Sequence, residues 1–370
     1  FNNTPNALMT YALPPGEANH DPGPVVRGMF GDMGWTINNA TPTPSPTASL
    51  TPTFTPTPSA TITPTITPTP SSYDAYMPLV MDDFSVLTPT PTPLPSDWLG
   101  YFNALRTMGG LPTVTENASW SNGCTLHARY MVKNDTFGVP EDPANPWYTA
   151  EGDAAAQNSN ILLAASLTLT DTDILGLWMS APFHGLGMLA PGLQSTGFGS
   201  YREAIGQFQT GACLDVNRGL GSVTLTFPVM WPAEGEASPL ATSTIQDTPD
   251  PLSACSGYTL PTGAPIYLML GPGWTITPTV TTSSLTDGST ALPHCVLSSA
   301  TYTNPDATLQ QLGRTILRAY DAVVLIPKDP LIPGTQYSVA LTINGQQYAW
   351  SFTVRAAALH RSIPSEVRIR

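Results

Sequence analysis

Residues 41–70 read TPTPSPTASLTPTFTPTPSATITPTITPTP, and a second run, TPTPTPLP, occupies 88–95. Proline at near-alternate positions removes backbone donors and fixes φ, which excludes both helix and interior strand. The segment is therefore expected to be disordered or extended in polyproline form, burying no core and spacing whatever lies on either side. Tyr76-Met77-Pro78-Leu79-Val80, between the runs, is read as a short apolar linker motif without chemistry of its own. The chain is thus expected to divide at a linker over 40–95, with a short piece, 1–39, before it.

The net charge is −13 and only 11% of residues are charged. An acidic chain lacks the basic surface that displaces counterions from nucleic acid, and it feels no pull toward anionic lipid. No apolar run approaches the roughly 20 residues of a transmembrane helix, and the longest, such as Ala322–Pro327, suit buried strands. A composition rich in Thr, Ser, Pro and Gly and poor in Lys resembles that of exported surface proteins, and a chain starting at Phe1 is read as a piece of a longer secreted precursor. Cys124, Cys213, Cys255 and Cys295 are an even set, which in that context implies two disulfides, with three pairings open. None has C-x-x-C spacing, which argues against a zinc ribbon or a thioredoxin site.

Over 96–218 the periodicity is mixed. Ser96 or Asp97 caps a helix with Leu99, Phe102 and Leu105 on one face, ended by Gly109-Gly110. A second helix runs over 118–134, with Trp120, Cys124, His127 and Met131 on one face. After the loop EDPANPWYTAEGD, Thr170 and Asp173 form a capping box for a third helix that turns Ile174, Leu175 and Trp178 inward. Residues 195–209 and 210–216 read as antiparallel strands around a turn near Gly206.

Trp178–Gly199, WMSAPFHGLGMLAPGLQSTGFG, closes that third helix, presents His184 in a Pro-Phe-His loop and opens a strand with Gly-Phe-Gly. With FNALRTMGGLPTVTENASWSNGCTLHARYM upstream, it resembles the bacterial branch of the CAP superfamily (cysteine-rich secretory, antigen 5 and pathogenesis-related proteins). The resemblance implies an α-β-α sandwich with a cavity lined by two histidines and by carboxylates. Position by position the cavity is degenerate. Val139 stands where the family keeps a second histidine, Ser159 stands at the glutamate of Gly-Glu-Asn-Ile-Ala, and only His184 survives. One imidazole with a valine and a serine lacks the facing ligands a divalent metal needs, so no metal and no cofactor are expected. Acid–base work would need a partner for His184. Glu151 and Asp153, in the preceding loop, are the acidic candidates, and a Ser159–His184 dyad is the nucleophilic one. His184, Ser159 and Val139 are the expected ligand-binding set, with His184 facing a groove.

His127 lies on an apolar helix face and is read as a hydrogen-bonded core histidine. His20, His294 and His360 receive no role, and the Asn117 and Asn134 triplets match the glycosylation pattern only as short motifs do. Within this framework Cys124 and Cys213 both fall in the CAP unit, and Cys255 and Cys295 both fall beyond it. The expected pairs are therefore Cys124–Cys213 and Cys255–Cys295.

Residues 219–355 show period-two patterning. Strand candidates are 266–270, 279–283, 323–326 and 337–342, with Asn344-Gly345 between 339–343 and 348–354 as a primed-turn hairpin. LIPGTQY, ending at Tyr337, resembles the tyrosine corner of Greek-key sandwiches, which implies an immunoglobulin-like or fibronectin-III-like module. Thr308–Arg318 has helical spacing and would be an insertion in it. The piece at 1–39, with Ala7-Leu8-Met9-Thr10 and HDPGPVVRGMFGDMGW from His20, resembles the C-terminal end of metzincin-like peptidases. It lacks their zinc-binding helix and is read as a remnant.

The fold expected is α+β: a CAP-type α-β-α sandwich over 96–218 and a C-terminal all-β Ig-like sandwich over 219–355, separately folded, with a tail over 356–370. A chain ending near Arg218 is expected to fold alone. The function expected is that of a secreted or surface-displayed bacterial CAP-domain protein with non-enzymatic binding or adhesion toward a lipid, glycan or protein ligand. Nucleic acid is excluded as a partner and no transmembrane segment is expected. A hydrolase or peptidase and a structural spacer are the alternatives.

Overall fold

The computed structural model describes residues 93–356 and 366–370. The expectations for 1–39, for the linker up to residue 92, for His20 and for His360 lie outside the described residues. Among the described residues, six α-helices are α1 Trp98–Thr107, α2 Ala118–Asn134, α3 Ala150–Ala156, α4 Asp171–Ser180, α5 Pro182–Met188 and α6 Ala307–Ala319. The strands of three or more residues are β1 Ser159–Ala164, β2 Phe198–Arg202, β3 Thr210–Asp215, β4 Val229–Trp231, β5 Ile266–Met269, β6 Val280–Asp287, β7 His294–Ser298, β8 Ala322–Pro327, β9 Gln336–Ile343, β10 Gln346–Val354 and β11 Val367–Ile369.

Local chemistry explains the helix starts. Asp97 caps α1 through Gly100 N (2.7 Å), Asn117 caps α2, and Thr170 and Asp173 form the reciprocal box at α4. The first sheet is antiparallel in the order β11-β1-β3-β2. Alternation along its strands separates two faces. Ile161, Leu163 and Cys213 join Cys124, Met131 and Ala155 of α2 and α3, whereas Leu162, Ala164, Ala212 and Leu214 join the core under α1, α4 and α5. These are the three layers of an α-β-α sandwich. Glycine permits the close approach of α2 to the sheet: a Cβ at Gly211 would stand 2.6 Å from Ala128 O. The Cys124–Cys213 disulfide pins the same helix to the same sheet, with Cα atoms 4.9 Å apart.

Two further sheets pack face to face. One runs β7-β8-β5-β4; the other runs from Thr290–Ala291 through β6-β9-β10 to Ala237–Ser238. Leu268, Val323 and Leu325 of the first meet Leu285, Val339, Leu341 and Phe352 of the second. Asn344 (φ 51°) and Gly345 (φ 80°) make the β9–β10 hairpin, with Ile343 opposite Gln346. The corner also forms: the Tyr337 hydroxyl accepts from Ile332 N at 2.7 Å. The second disulfide, Cys255–Cys295, ties the 3₁₀ turn Pro251–Ala254 to β7, with Cα atoms 5.7 Å apart.

Three expectations are corrected here. First, the core does not stop at 218. Tyr267, Met269, Ala322, Val324 and Ile326, on the outer face of the β5–β8 sheet, belong to the same apolar cluster as Phe102, Leu105, Leu175 and Trp178. The Trp231 indole N–H donates to Leu105 O (2.8 Å) and the Tyr267 hydroxyl to Met179 O (2.9 Å). The β5–β8 sheet is thus covered on both faces, by the second sheet on one side and by the α1/α4/α5 layer on the other, and the described residues form one compact unit. Second, residues 366–370 are not simply a tail. They return as β11, with Ile161 N bonding Arg370 O (2.8 Å), Arg370 N bonding Ile161 O (3.1 Å) and Ile369 buried. Third, His184 lies in a helix. Pro182 occupies the first turn of α5, where its missing N–H costs nothing. The helix α6, expected as an insertion, packs on α5, β7 and β8 and adds Leu317 to the shared core.

Candidate functional site

Two buried histidine–carboxylate pairs stand out, one on each side of the first sheet. His184 is 4% exposed, and its Nδ1 lies 2.7 Å from Asp247 Oδ1. Asp247 comes from the segment between Ser243 and Pro251 and is itself buried. Its carboxylate also accepts from Phe183 N (2.7 Å) and Thr248 N (2.7 Å). His127, fully buried on α2, places Nδ1 2.9 Å from Glu141 Oε1, and Glu141 Oε2 accepts from Thr149 N at 3.0 Å. In each pair the imidazole Nδ1 faces a carboxylate oxygen that accepts from it. Both Nε2 atoms are buried without a hydrogen-bond partner among the described residues.

The pairs do not converge. The Asn160 side chain donates to His184 O (3.3 Å), which places that face of β1 toward α5. The next side chain, Ser159, turns the opposite way, with its Oγ 3.8 Å from Cys124 Sγ of α2. Strand alternation therefore puts Ser159 and His184 on opposite faces of the sheet, and a dyad between them is not assembled. Val139 packs against the cluster under α2 and α3, also away from His184. Glu151 is exposed in the first turn of α3; Asp153 accepts from Glu141 N (2.9 Å) and Gln157 Nε2 (2.7 Å). Neither acidic candidate reaches His184. His294 bonds Leu292 O and Ser283 Oγ.

The carboxylates that matter, Glu141 and Asp247, were missed by sequence reasoning. Glu141 sits in the Pro/Asp-rich loop with no periodic signal, and Asp247 lies 63 residues beyond His184 in a segment assigned to another module. Beside Asp247, a cavity of about 10 Å³ is lined by Pro182, Ile245, Asp250 and Leu260. It has room for about one water. Burial, and then the Asp247 charge, push the Tyr267 hydroxyl well above its ordinary pKa, so it stays a proton donor to Met179 O.

Arg106 shapes the same region. Fully buried, it donates to Met188 O (2.7 Å), Ala190 O (3.2 Å), Leu193 O (3.3 Å) and Pro112 O (3.0 Å), and burial lowers its pKa to about 10. It thereby fixes the chain leaving α5. Asn103 clamps Val114 through both its amide atoms. Asn103 and Arg106 are thus architectural elements of the site.

The family model for the cysteine-rich secretory protein family, CAP, matches residues 99–214. This segment is a CAP domain. No match was found among curated proteins or among solved structures. In the CAP domain the matched span covers α1 to β3, whereas Asp247 and β11, which complete the His184 pair and the sheet, lie beyond it. Among the described residues no group of three His, Cys, Asp or Glu side chains is arranged to hold a metal, and no helix is long and apolar enough to cross a membrane.

Proposed function

We propose that this chain is an extracellular or surface-displayed binding protein whose CAP domain serves as a scaffold, not a catalyst. The observation that carries this reading is the enclosure of His184: its ring is 4% exposed, Nδ1 is held by Asp247 from beyond the CAP domain, and the adjoining cavity is water-sized. A substrate pocket needs hundreds of cubic ångströms and convergent polar groups. Two disulfides suit an oxidising compartment, and the family's secretory character points the same way. An Ig-like assignment for the two packed C-terminal sheets, supported by the Tyr337 corner, fits a display role.

The hydrolase reading has one observation in its favour: a histidine oriented by a buried aspartate is the base half of a catalytic triad. It lacks the other half, since no hydroxyl or thiol among the described residues bonds His184 Nε2. The test is turnover of casein and of short p-nitrophenyl esters by the intact chain beside His184→Asn. Equal background rates support the scaffold reading; turnover that His184→Asn abolishes overturns it.

A further inference from the structure

On the far side of α6 lies an open cleft of about 240 Å³, lined by Trp274, Ser299, Gln311, Arg314, Thr315 and Arg318. The four helical residues fall at i, i+3, i+4 and i+7 and form one face. Trp274 is 58% exposed and has a φ of +61°, a conformation rare for a bulky residue. Its loop is tightly held. Trp274 N donates to Arg318 O (3.0 Å), and buried Asp321 accepts from Gly273 N (3.1 Å), Thr275 N (3.1 Å), Thr275 Oγ1 (2.6 Å) and Ile276 N (3.1 Å). None of these bonds uses the indole. As a piece of backbone, position 274 would be served better by glycine or asparagine. An exposed indole in a strained, over-determined loop points to a task for the ring.

The charges beside it are equally specific. In a chain of net charge −13, Arg314 and Arg318 stand together, and neither is in an ion pair among the described residues. Arg314 is aimed by its Nε bond to Tyr302 O (2.8 Å), which leaves its two terminal amino groups for a planar anion. Arg318 sits over the Trp274 ring, 5.6 Å from its centroid. Ser299 Oγ, buried at the cleft wall, has no hydrogen-bond partner among the described residues.

We propose that this cleft binds a saccharide bearing a carboxylate. A pyranose presents one face of C–H groups to an aromatic ring, its carboxylate suits the guanidinium fork, and Gln311 and Thr315 meet hydroxyls. The site lies outside the CAP domain and goes beyond the scaffold reading, which stands or falls separately on turnover.

The test is calorimetric titration of the intact chain with tetragalacturonic acid, a hyaluronan tetrasaccharide, sialyllactose and, as the neutral probe, maltotetraose. At least one acidic sugar is expected to bind saturably, at least tenfold more tightly than maltotetraose, and to weaken with salt. Trp274→Gly, which relieves the backbone and deletes the ring, and Arg314→Gln/Arg318→Gln are each expected to reduce binding at least tenfold with unchanged melting. No saturable binding of any acidic probe, equal binding of maltotetraose, or binding that survives both variants overturns the proposal.

Discussion

At the scale of single residues, buried polar groups set the largest energies. Asp247 satisfies three donors at once, from His184, Phe183 and Thr248. Replacing it with alanine leaves the His184 imidazole and the Phe183 amide unpaired in a buried interior. Asp247→Ala is expected to cost about 3–5 kcal/mol, read as a lowered urea midpoint at unchanged slope, and Asp247→Asn about half as much. Arg106→Lys is expected to cost about 2–4 kcal/mol, because an ammonium cannot span four carbonyls that a planar fork reaches. Asp135 contributes a local pH dependence. Accepting from Phe208 N (2.7 Å) and Gln207 N (3.0 Å) holds its carboxyl below the usual range. A depressed folded-state pKa contributes stability that is present above the unfolded value, about 4, and is lost as pH falls through the folded one. Hydrogen exchange at Gln207 and Phe208 is therefore expected to accelerate below about pH 4 before the rest of the chain opens, and Asp135→Asn should remove that pH step.

At the scale of elements, much was legible and the misses share a cause. Helix starts were readable at Asp97 and at the Thr170–Asp173 box because these act within three residues of themselves. The Asn344-Gly345 hairpin and the Tyr337 corner are local in the same way. The position of His184 is ambiguous in the sequence because a proline before it reads equally as a loop or as the first turn of a short helix. A resemblance to a family does not fix strand parity, and one residue of offset decides which face a side chain takes, so Ser159 lies on the opposite face from His184. Asp247 and Glu141 carry no sequence period and could be found only through their partners. β11 is three residues long and gave no pattern at all. Its weight can be measured: Ile369→Ala is expected to cost about 2–4 kcal/mol and to raise exchange along β1, which would become an open edge.

At the scale of the whole molecule, a clue was present in the strands themselves. Ala322–Pro327 and Ile266–Met269 are continuously apolar, whereas Gln336–Ile343 alternates. Continuous apolarity marks a sheet covered on both faces, and the second cover is the α1/α4/α5 layer of the CAP domain. A chain truncated after Arg218 would expose the apolar face formed by Phe102, Leu105, Leu175 and Trp178, and would lack β11. It is expected to aggregate or to give a poorly dispersed amide spectrum, while residues 93–370 melt in one calorimetric transition. Tyr337→Phe, losing the bond to Ile332 N, should lower that single transition by about 1 kcal/mol, or up to 3 if the amide stays unpaired. Two separated transitions, with only the later one shifted, would instead restore independent modules.

The return of β11 also sets an order of events. A ribosome or export channel delivers the chain from its N-terminal side, and early segments ordinarily fold as they emerge. Here β1 emerges long before the strand that covers its edge, so the first sheet waits, one side bare, through delivery of everything between. Arg370 pairing with Ile161 therefore closes the first sheet only after the two packed sheets that lie between them in sequence have been delivered. A chain lacking residues 366–370 would keep every other strand of the first sheet and carry an unfinished seam along β1, recognisable to any protease that reads exposed strands.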